Sequence, residues 1–244
     1  MKYYIIAGEA SGDLHASNLM KALKKVDGKA DFRFWGGDLM ASEGGEMVKH
    51  YRELAFMGFS EVIMNLRTIF KNINFCKQDI EEYQPDVIIF IDYPGFNMRI
   101  AEWAKKKGLR THYYISPQIW AWKENRIKKI KRDVDEMYVI LPFEKEFYSQ
   151  KHNFPVHFVG HPLLDAIDHR PPVDVDSFRK DHDLDERPVI ALLPGSRKQE
   201  IEKMLEVMLS ITSDFKDYQF VIAGAPSQDE DFYYSFMKKS NIKL

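Results

Sequence analysis

Short, dense apolar runs alternate along the chain with longer segments carrying an apolar residue every three or four positions, so the pattern predicts strands separated by helices. Its clearest unit runs from Val87 to Trp122. Val87-Ile88-Ile89-Phe90-Ile91 is unbroken and rich in β-branched residues, as in a parallel strand buried on both faces. Asp92 follows at once, which puts a carboxylate at the carboxyl end of the strand, where open α/β sheets hold their ligands. Pro94 and Gly95 turn the chain. Met98 to Lys107 then carries Ile100, Trp103 and Ala104 at helical spacing and stops before Gly108, a residue favoured just past a helix end. Tyr113-Tyr114-Ile115 is the next strand, ending in Ser116-Pro117-Gln118 with Trp120 and Trp122 close behind.

Elsewhere, Tyr3 to Ala7 predicts a first strand that delivers Gly8-Glu9-Ala10-Ser11-Gly12-Asp13, after which Leu19, Ala22, Leu23 and Val26 mark a helix face. Phe32 to Trp35 is a second strand. Phe59, Val62, Ile63, Leu66, Ile69, Phe70 and Ile73 follow helical spacing, with Phe56 and Met57 ahead of them. Met137 to Leu141 and Val156 to Val159 are strands leading to the turns Pro142-Phe143-Glu144 and Gly160-His161-Pro162. The implied fold class is α/β, a Rossmann-like doubly wound parallel sheet. From Asp168 to Arg187 the chain is polar, holds Pro171-Pro172 and loses its apolar period, so residues 1–168 form one expected domain, 169–187 a linker and 188–244 a second domain. In the second, Val189 to Leu193 and Gln219 to Ala223 are strands; Ile201 to Ile211 and a segment from about Asp229 are helices. So small a parallel sheet leaves two edges and much apolar surface open, and the second domain is expected to be incomplete within this chain.

Composition narrows the functional classes. With 244 residues, 45% of them apolar, a sizeable core is expected, and a net charge of −2 argues against a general electrostatic grip on nucleic acid. Cys76 is the only cysteine, which excludes an internal disulfide or a cysteine-built zinc cluster and suits a reducing cytoplasm. Met1 runs directly into a strand and not into a signal-peptide apolar region. No stretch reaches the ~18 uncharged apolar residues of a membrane span, so any membrane contact is expected to be peripheral.

The candidate chemistry lies at strand ends. GEASGD opens a helix and is either a cradle for a phosphate or sugar or a plain βα turn with Asp13 as a helix N-terminal charge. LLPGSRKQEI joins a strand, a glycine turn, a hydroxyl and an arginine to a helix start, the arrangement a diphosphate wants; the alternative is a capped helix with a solvated arginine. Asp92 is a turn residue bonded near Asn97, or a general base for a sugar hydroxyl. The stripe at 56–73, with Met57, Phe59, Ile63, Leu66 and Phe70, and the cationic run holding Lys123 and Arg126 read either as core plus a solvated helix anchored by Ile127 and Ile130, or as a surface for anionic lipid. The acidic pairs at 174–176, 181–183 and 229–231 lie in polar stretches, and His157 precedes His161 on a strand, so no metal site is expected.

GEASGD at 8–13, GFSEV at 58–62, DYPGFN at 92–97, YYISPQIWAWK at 113–123, LPFEKEFY at 141–148, VGHPL at 159–163 and LLPGSRKQEI at 192–201, in this order, resemble the lipid-A-disaccharide synthase family. The resemblance implies a GT-B fold and metal-free, inverting transfer of 2,3-diacylglucosamine from its UDP form to 2,3-diacylglucosamine 1-phosphate, with release of UDP and formation of a β-1,6 bond. It implies no cofactor, since the UDP-sugar is a substrate. Asp92 matches the family's candidate base. Acceptor contacts would fall on Gly8, Glu9, Ser11, Gly12, Asp13, Asn97, Ser116, Gln118 and Trp120, and donor phosphate contacts on His161, Gly195, Ser196, Arg197 and Glu200. The first domain becomes the acceptor and membrane side, the second a partial UDP-sugar domain. An anionic membrane at the cytoplasmic face of the inner membrane is the expected surface partner, nucleic acid is not expected, and a homodimer is allowed. Another sugar-nucleotide enzyme of the fold, an epimerase or transferase, would not need the 56–73 stripe. A non-catalytic lipid-binding module would not need Asp92 or PGSR.

Overall fold

The computed structural model describes residues 1–54, 66–168, 170–237, 242 and 244. They fall into two compact units, Met1–His169 and Arg170–Leu244.

The first unit is built on seven parallel strands: β1 (Lys2–Ala7), β2 (Asp31–Gly36), β3 (Glu46–His50), β4 (Val87–Ile91), β5 (Thr111–Tyr114), β6 (Glu136–Val139) and β7 (His157–Phe158), ordered β3-β2-β1-β4-β5-β6-β7. From β1 the chain winds one way through β2 and β3; from β4 it winds the other way through β5 to β7. The order reverses between β1 and β4, and ligands of doubly wound sheets bind outside the carboxyl ends of the strands at that point. The pairing Ala7↔Ile91 brings the two strand ends level.

The helices are α1 (Ala10–Val26), α2 (Asp38–Ser42), α3 (Leu66–Tyr83), α4 (Pro94–Lys106), α5 (Ile127–Asp133), α6 (Pro142–Glu146) and α7 (Pro162–Asp168). Because side chains alternate along a strand, the central strands feed two cores. Tyr4, Ile6, Ile88 and Phe90 meet Ile73, Cys76 and Ile80 of α3 and Phe96, Ile100 and Ala104 of α4. Tyr3, Ile5, Ile89 and Ile91 meet Ala16 and Met20 of α1 on the other face. Each buried Ile or Phe contributes roughly 1.5–3 kcal/mol, so β1 and β4 are anchored from both sides. A polar network fastens α3: Asp79, 4% exposed, accepts from Arg33 Nη2 at 2.5 Å and from the Tyr4 hydroxyl at 2.6 Å, and that hydroxyl accepts from Trp35 Nε1 at 2.8 Å.

Several expectations need correction. Of the expected face of α1, Leu19 and Leu23 pack half-buried against the core, while Ala22 is exposed and Val26 is 82% exposed; the fully buried face carries Gly12, Asp13, His15, Ala16, Ser17 and Met20, because small residues bring the helix close to the sheet. Pro94 does not precede its helix but starts it at the first position, where a missing N–H costs nothing. Pro142-Phe143-Glu144 likewise opens α6. The short elements α2 and β3 have no counterpart in the apolar pattern. The helix stripe is described only from Leu66, so Phe56, Met57, Phe59, Val62 and Ile63 lie outside the described residues.

In the second unit the stretch read as a linker holds α8 (Val175–Asp181), capped by the Asp174 side chain, which accepts from Asp176 N at 3.1 Å. Strands β8 (Val189–Leu192) and β9 (Gln219–Ile222) pair in parallel beside α9 (Lys198–Ser210) and α10 (Glu230–Met237). Leu192, Ile201, Leu205, Phe220, Ile222 and Tyr233 form its core, while Leu193 and Val207 stay largely exposed.

Candidate functional site

Asp92 leaves β4 at the point where the strand order reverses, and two loops meet around it. The Gly8-Glu9 turn and the first turn of α1, which ends the motif at Asp13, follow β1, the neighbouring strand. Gly8 lies flat against the Tyr93 ring: a Cβ there would fall 2.3–2.6 Å from three ring carbons, so only glycine lets the loop approach this closely. Asp92 and Tyr93 both adopt left-handed backbone, at φ 41° and 48°. Asn97, fully buried, donates its amide to the carbonyls of Asp92 at 2.8 Å, Ile91 at 3.3 Å and Ile6 at 3.4 Å. The Tyr113 hydroxyl donates to the Asp92 carbonyl at 2.6 Å. Burial and then the Asp92 charge push the Tyr113 phenol well above its ordinary range, so it remains a donor.

The expected acceptor residues therefore divide. Glu9, half-buried, and Ser11, exposed, flank the start of α1, and Glu9 helps to raise the Tyr93 phenol after burial, the larger cause. Gly12 is packed against Ala7, with space for a Cβ only 3.2 Å from the Ala7 Cβ. Asp13 is 3% exposed and turns to the fold: its carboxylate accepts from Gly37 N at 2.8 Å, Met40 N at 3.0 Å and Leu39 N at 3.1 Å, capping α2. Asn97 is likewise committed to backbone.

After β5, Ser116 and Trp120 converge on Glu144, a residue sequence reasoning passed over. The Glu144 carboxylate, 2% exposed, accepts from Ser116 Oγ at 2.7 Å, Trp120 Nε1 at 3.3 Å, Leu141 N at 2.9 Å and Ile140 N at 3.1 Å. It ties the loops after β5 and β6 together and leaves Gln118 exposed. The available signal was proline at the first helical position followed by glutamate at the third, an N-terminal signature. Trp122 is 58% exposed, with Lys123 Nζ 4.3 Å and Arg126 Cζ 5.5 Å from its ring centre, a cationic and aromatic patch; Ile127 and Ile130 anchor α5 behind it. Phe70 is also more than half exposed.

His161 belongs to the first unit, where burial lowers the pKa of His15 and the neighbouring His161 lowers it further. The other expected phosphate residues lie in the second unit. Gly195 has φ +107°, Arg197 is the N-cap of α9 and its carbonyl accepts from Glu200 N at 2.9 Å, and Glu200 sits in the first turn. Ser196 is exposed, and its carbonyl accepts from Ser227 Oγ at 3.3 Å and Gln228 Nε2 at 3.4 Å. An anion at this turn would meet the positive end of a 13-residue helix. Among the described residues no group of three or more His, Cys, Asp or Glu side chains is placed to hold a metal ion, and no helix is long and apolar enough to cross a membrane.

A family model described as lipid-A-disaccharide synthetase matches residues 3–244. The chain belongs to this family. It is 41% identical to the lipid-A-disaccharide synthase of Coxiella burnetii (strain Dugway 5J108-111), over 89% of this chain and 58% of that protein. It is 42% identical to that of Geobacter metallireducens, over 91% and 59%, and 40% identical to lipid-A-disaccharide synthase 1 of Legionella pneumophila (strain Paris), over 98% and 63%. The chain thus spans about three fifths of the length of these synthases. Among solved structures it resembles the UDP-GlcNAc 2-epimerase of Neisseria meningitidis bound to UDP-GlcNAc, with a TM-score of 0.64 at 11% identity over 98% of this chain and 69% of the other. The Methanocaldococcus jannaschii epimerase in complex with UDP-GlcNAc and UDP gives 0.63 at 14% identity, over 99% and 72%. The fold is α/β of the GT-B type, as the synthase motifs led one to expect.

Proposed function

We propose that the protein acts in lipid A synthesis as an inverting glycosyltransferase, moving 2,3-diacylglucosamine from its UDP form to the 6-hydroxyl of 2,3-diacylglucosamine 1-phosphate. The observation that carries this reading is the place of Asp92: in a chain of the synthase family, it stands at the carboxyl end of β4 beside the Gly8-Glu9 turn that opens α1, where the strand order reverses. The Asp92 carboxylate takes the 6-hydroxyl proton as that oxygen attacks the anomeric carbon. The bond from that carbon to UDP breaks on the opposite side of the sugar, so a β-1,6 link forms with inversion. In the second unit, Arg197, the backbone at Gly195 and Ser196 and the first turn of α9 receive the charge that develops on UDP. No step is assigned to a metal or cofactor.

Both substrates carry acyl chains, which suits a protein held peripherally on the cytoplasmic face of the inner membrane, with Phe70, Trp122, Lys123 and Arg126 toward anionic lipid. The test is Asp92→Asn in the longest natural form of the protein, assayed by mass detection of the disaccharide. Asparagine keeps the size and removes the base, so turnover is expected to fall ~10²–10⁴-fold with KM little changed. Wild-type turnover would make Asp92 a turn residue and remove this mechanism.

A further inference from the structure

The turn that bears Asp92 is an expensive way to leave a strand. Two consecutive residues with side chains occupy the left-handed region, which repulsion between Cβ and carbonyl disfavours. Asn97 is fully buried, and while its amide nitrogen serves three carbonyls its Oδ1 is buried without a partner. Tyr113 is also fully buried, and its hydroxyl ends on the same Asp92 carbonyl. A βα connection that had only to change direction could use a glycine and leave no orphaned acceptor. Buried unpaired groups and strained backbone persist where the surroundings force them, and they cluster at functional sites.

We infer that Asn97 and Tyr113 are positioning residues for Asp92: converging on its carbonyl, they fix the left-handed turn and so aim the carboxylate at the acceptor hydroxyl. Neither touches the reacting atoms. The inference rests on Asp92 being the base. Tyr113 reaches the carbonyl across the sheet, from the strand paired with β4, and Asn97 reaches it from the first turns of α4; the carbonyl is held from two elements that cannot move independently of the core. An error of an ångström in the aim of a base is enough to cost ~10²-fold in rate.

The experiment is a double-mutant cycle in steady-state kinetics on the longest natural form of the protein, with Asp92→Asn, Tyr113→Phe and the pair. Phenylalanine keeps the ring against Phe90, 5.7 Å between centroids, and removes only the hydroxyl. Expected are a ~10–10²-fold fall in kcat for Tyr113→Phe with KM for both substrates unchanged, and a double variant no slower than Asp92→Asn alone, since a misaimed base that is already gone can cost nothing more. Losses that multiply, or wild-type kcat in Tyr113→Phe beside a slow Asp92→Asn, would overturn the positioning role while leaving Asp92 as base. Wild-type kcat in Asp92→Asn would overturn the base and this inference with it. Should Tyr113→Phe fail to fold, Asn97→Ser enters the same cycle with the same expected and opposing results.

Discussion

Adding one methyl group at Gly8 tests the packing that joins the two loops at the switch point. The Cβ of Gly8→Ala would stand 2.3 Å from Tyr93 Cδ1, 2.4 Å from Cγ and 2.6 Å from Cε1, well inside any real carbon contact. The ring cannot slide away freely. Phe96 stacks on it at 5.9 Å between centroids, its hydroxyl donates to the Leu54 carbonyl at 3.3 Å, and its own backbone is left-handed. Overpacking of this kind costs ~1–3 kcal/mol, and a domain of this size loses roughly 2–4 °C per kcal/mol, so the melting temperature should fall by about 2–12 °C. Gly12→Ala, with its nearest neighbour at 3.2 Å, should lose less, and Gly95→Ala, with nothing within 4 Å, should lose nothing or gain from a less flexible unfolded chain. Thermal melts followed by circular dichroism rank the three. A Gly8→Ala protein that melts with wild type, or three variants that fall together, would refute the claim that Tyr93 is seated on Gly8.

Burial lowers the pKa of His15, with His161 adding to it, and burial lowers that of His112, with Arg110 and His157 lowering it further and Glu136 and Asp135 opposing. Above the unfolded value of about 6.5 these imidazoles are neutral in both states and their full contribution is present; below it the unfolded chain takes up protons that the fold resists, so stability drains away as pH falls toward the folded values. Urea titrations at about pH 7.5 and about pH 5.5 should show a larger loss in wild type than in a His15→Asn/His112→Asn variant, and equal losses would count against the burial argument. For the membrane reading, Phe70→Ser and Trp122→Ser should weaken sedimentation with anionic liposomes while melting normally, since both side chains are more than half exposed, whereas Ile73→Ser, 4% exposed, should unfold the protein. Binding should also weaken with salt, because charges worth ~1 kcal/mol each near the surface are screened over ~8–10 Å; no binding at low salt would remove the membrane from the proposal.

What could be read in the sequence was whatever depends on neighbours in the chain. The β4 run is so uniformly apolar that both its burial and its end are fixed by composition, which is why Asp92 could be placed at a strand end from the residues around it alone. The edge strand β3, Glu46–His50, has only Met47 and Val48 as apolar residues and one pairing partner, so it left no period to find. The face of α1 was legible only in part: Leu19 and Leu23 do pack half-buried against the core, but Ala22 and Val26 face out, and the closest contact with the sheet is made by Gly12, Ala16 and Ser17, which leave no apolar period to find. The polar residues were hardest. Asp13 caps a turn 24–27 residues ahead, Glu144 gathers Ser116 from 28 residues back, and Tyr113 closes on Asp92 from 21 residues away. Each meeting is made by the sheet, not by spacing. The motif residues Asp13, Asn97, Ser116 and Trp120 thus share a role that their place in a motif did not suggest. Asp13 and Asn97 spend their hydrogen bonds on backbone, Ser116 and Trp120 spend theirs on the Glu144 carboxylate, and together they hold strand-end loops still. A site that must aim a carboxylate at one hydroxyl of a sugar has reason to devote more residues to holding than to touching.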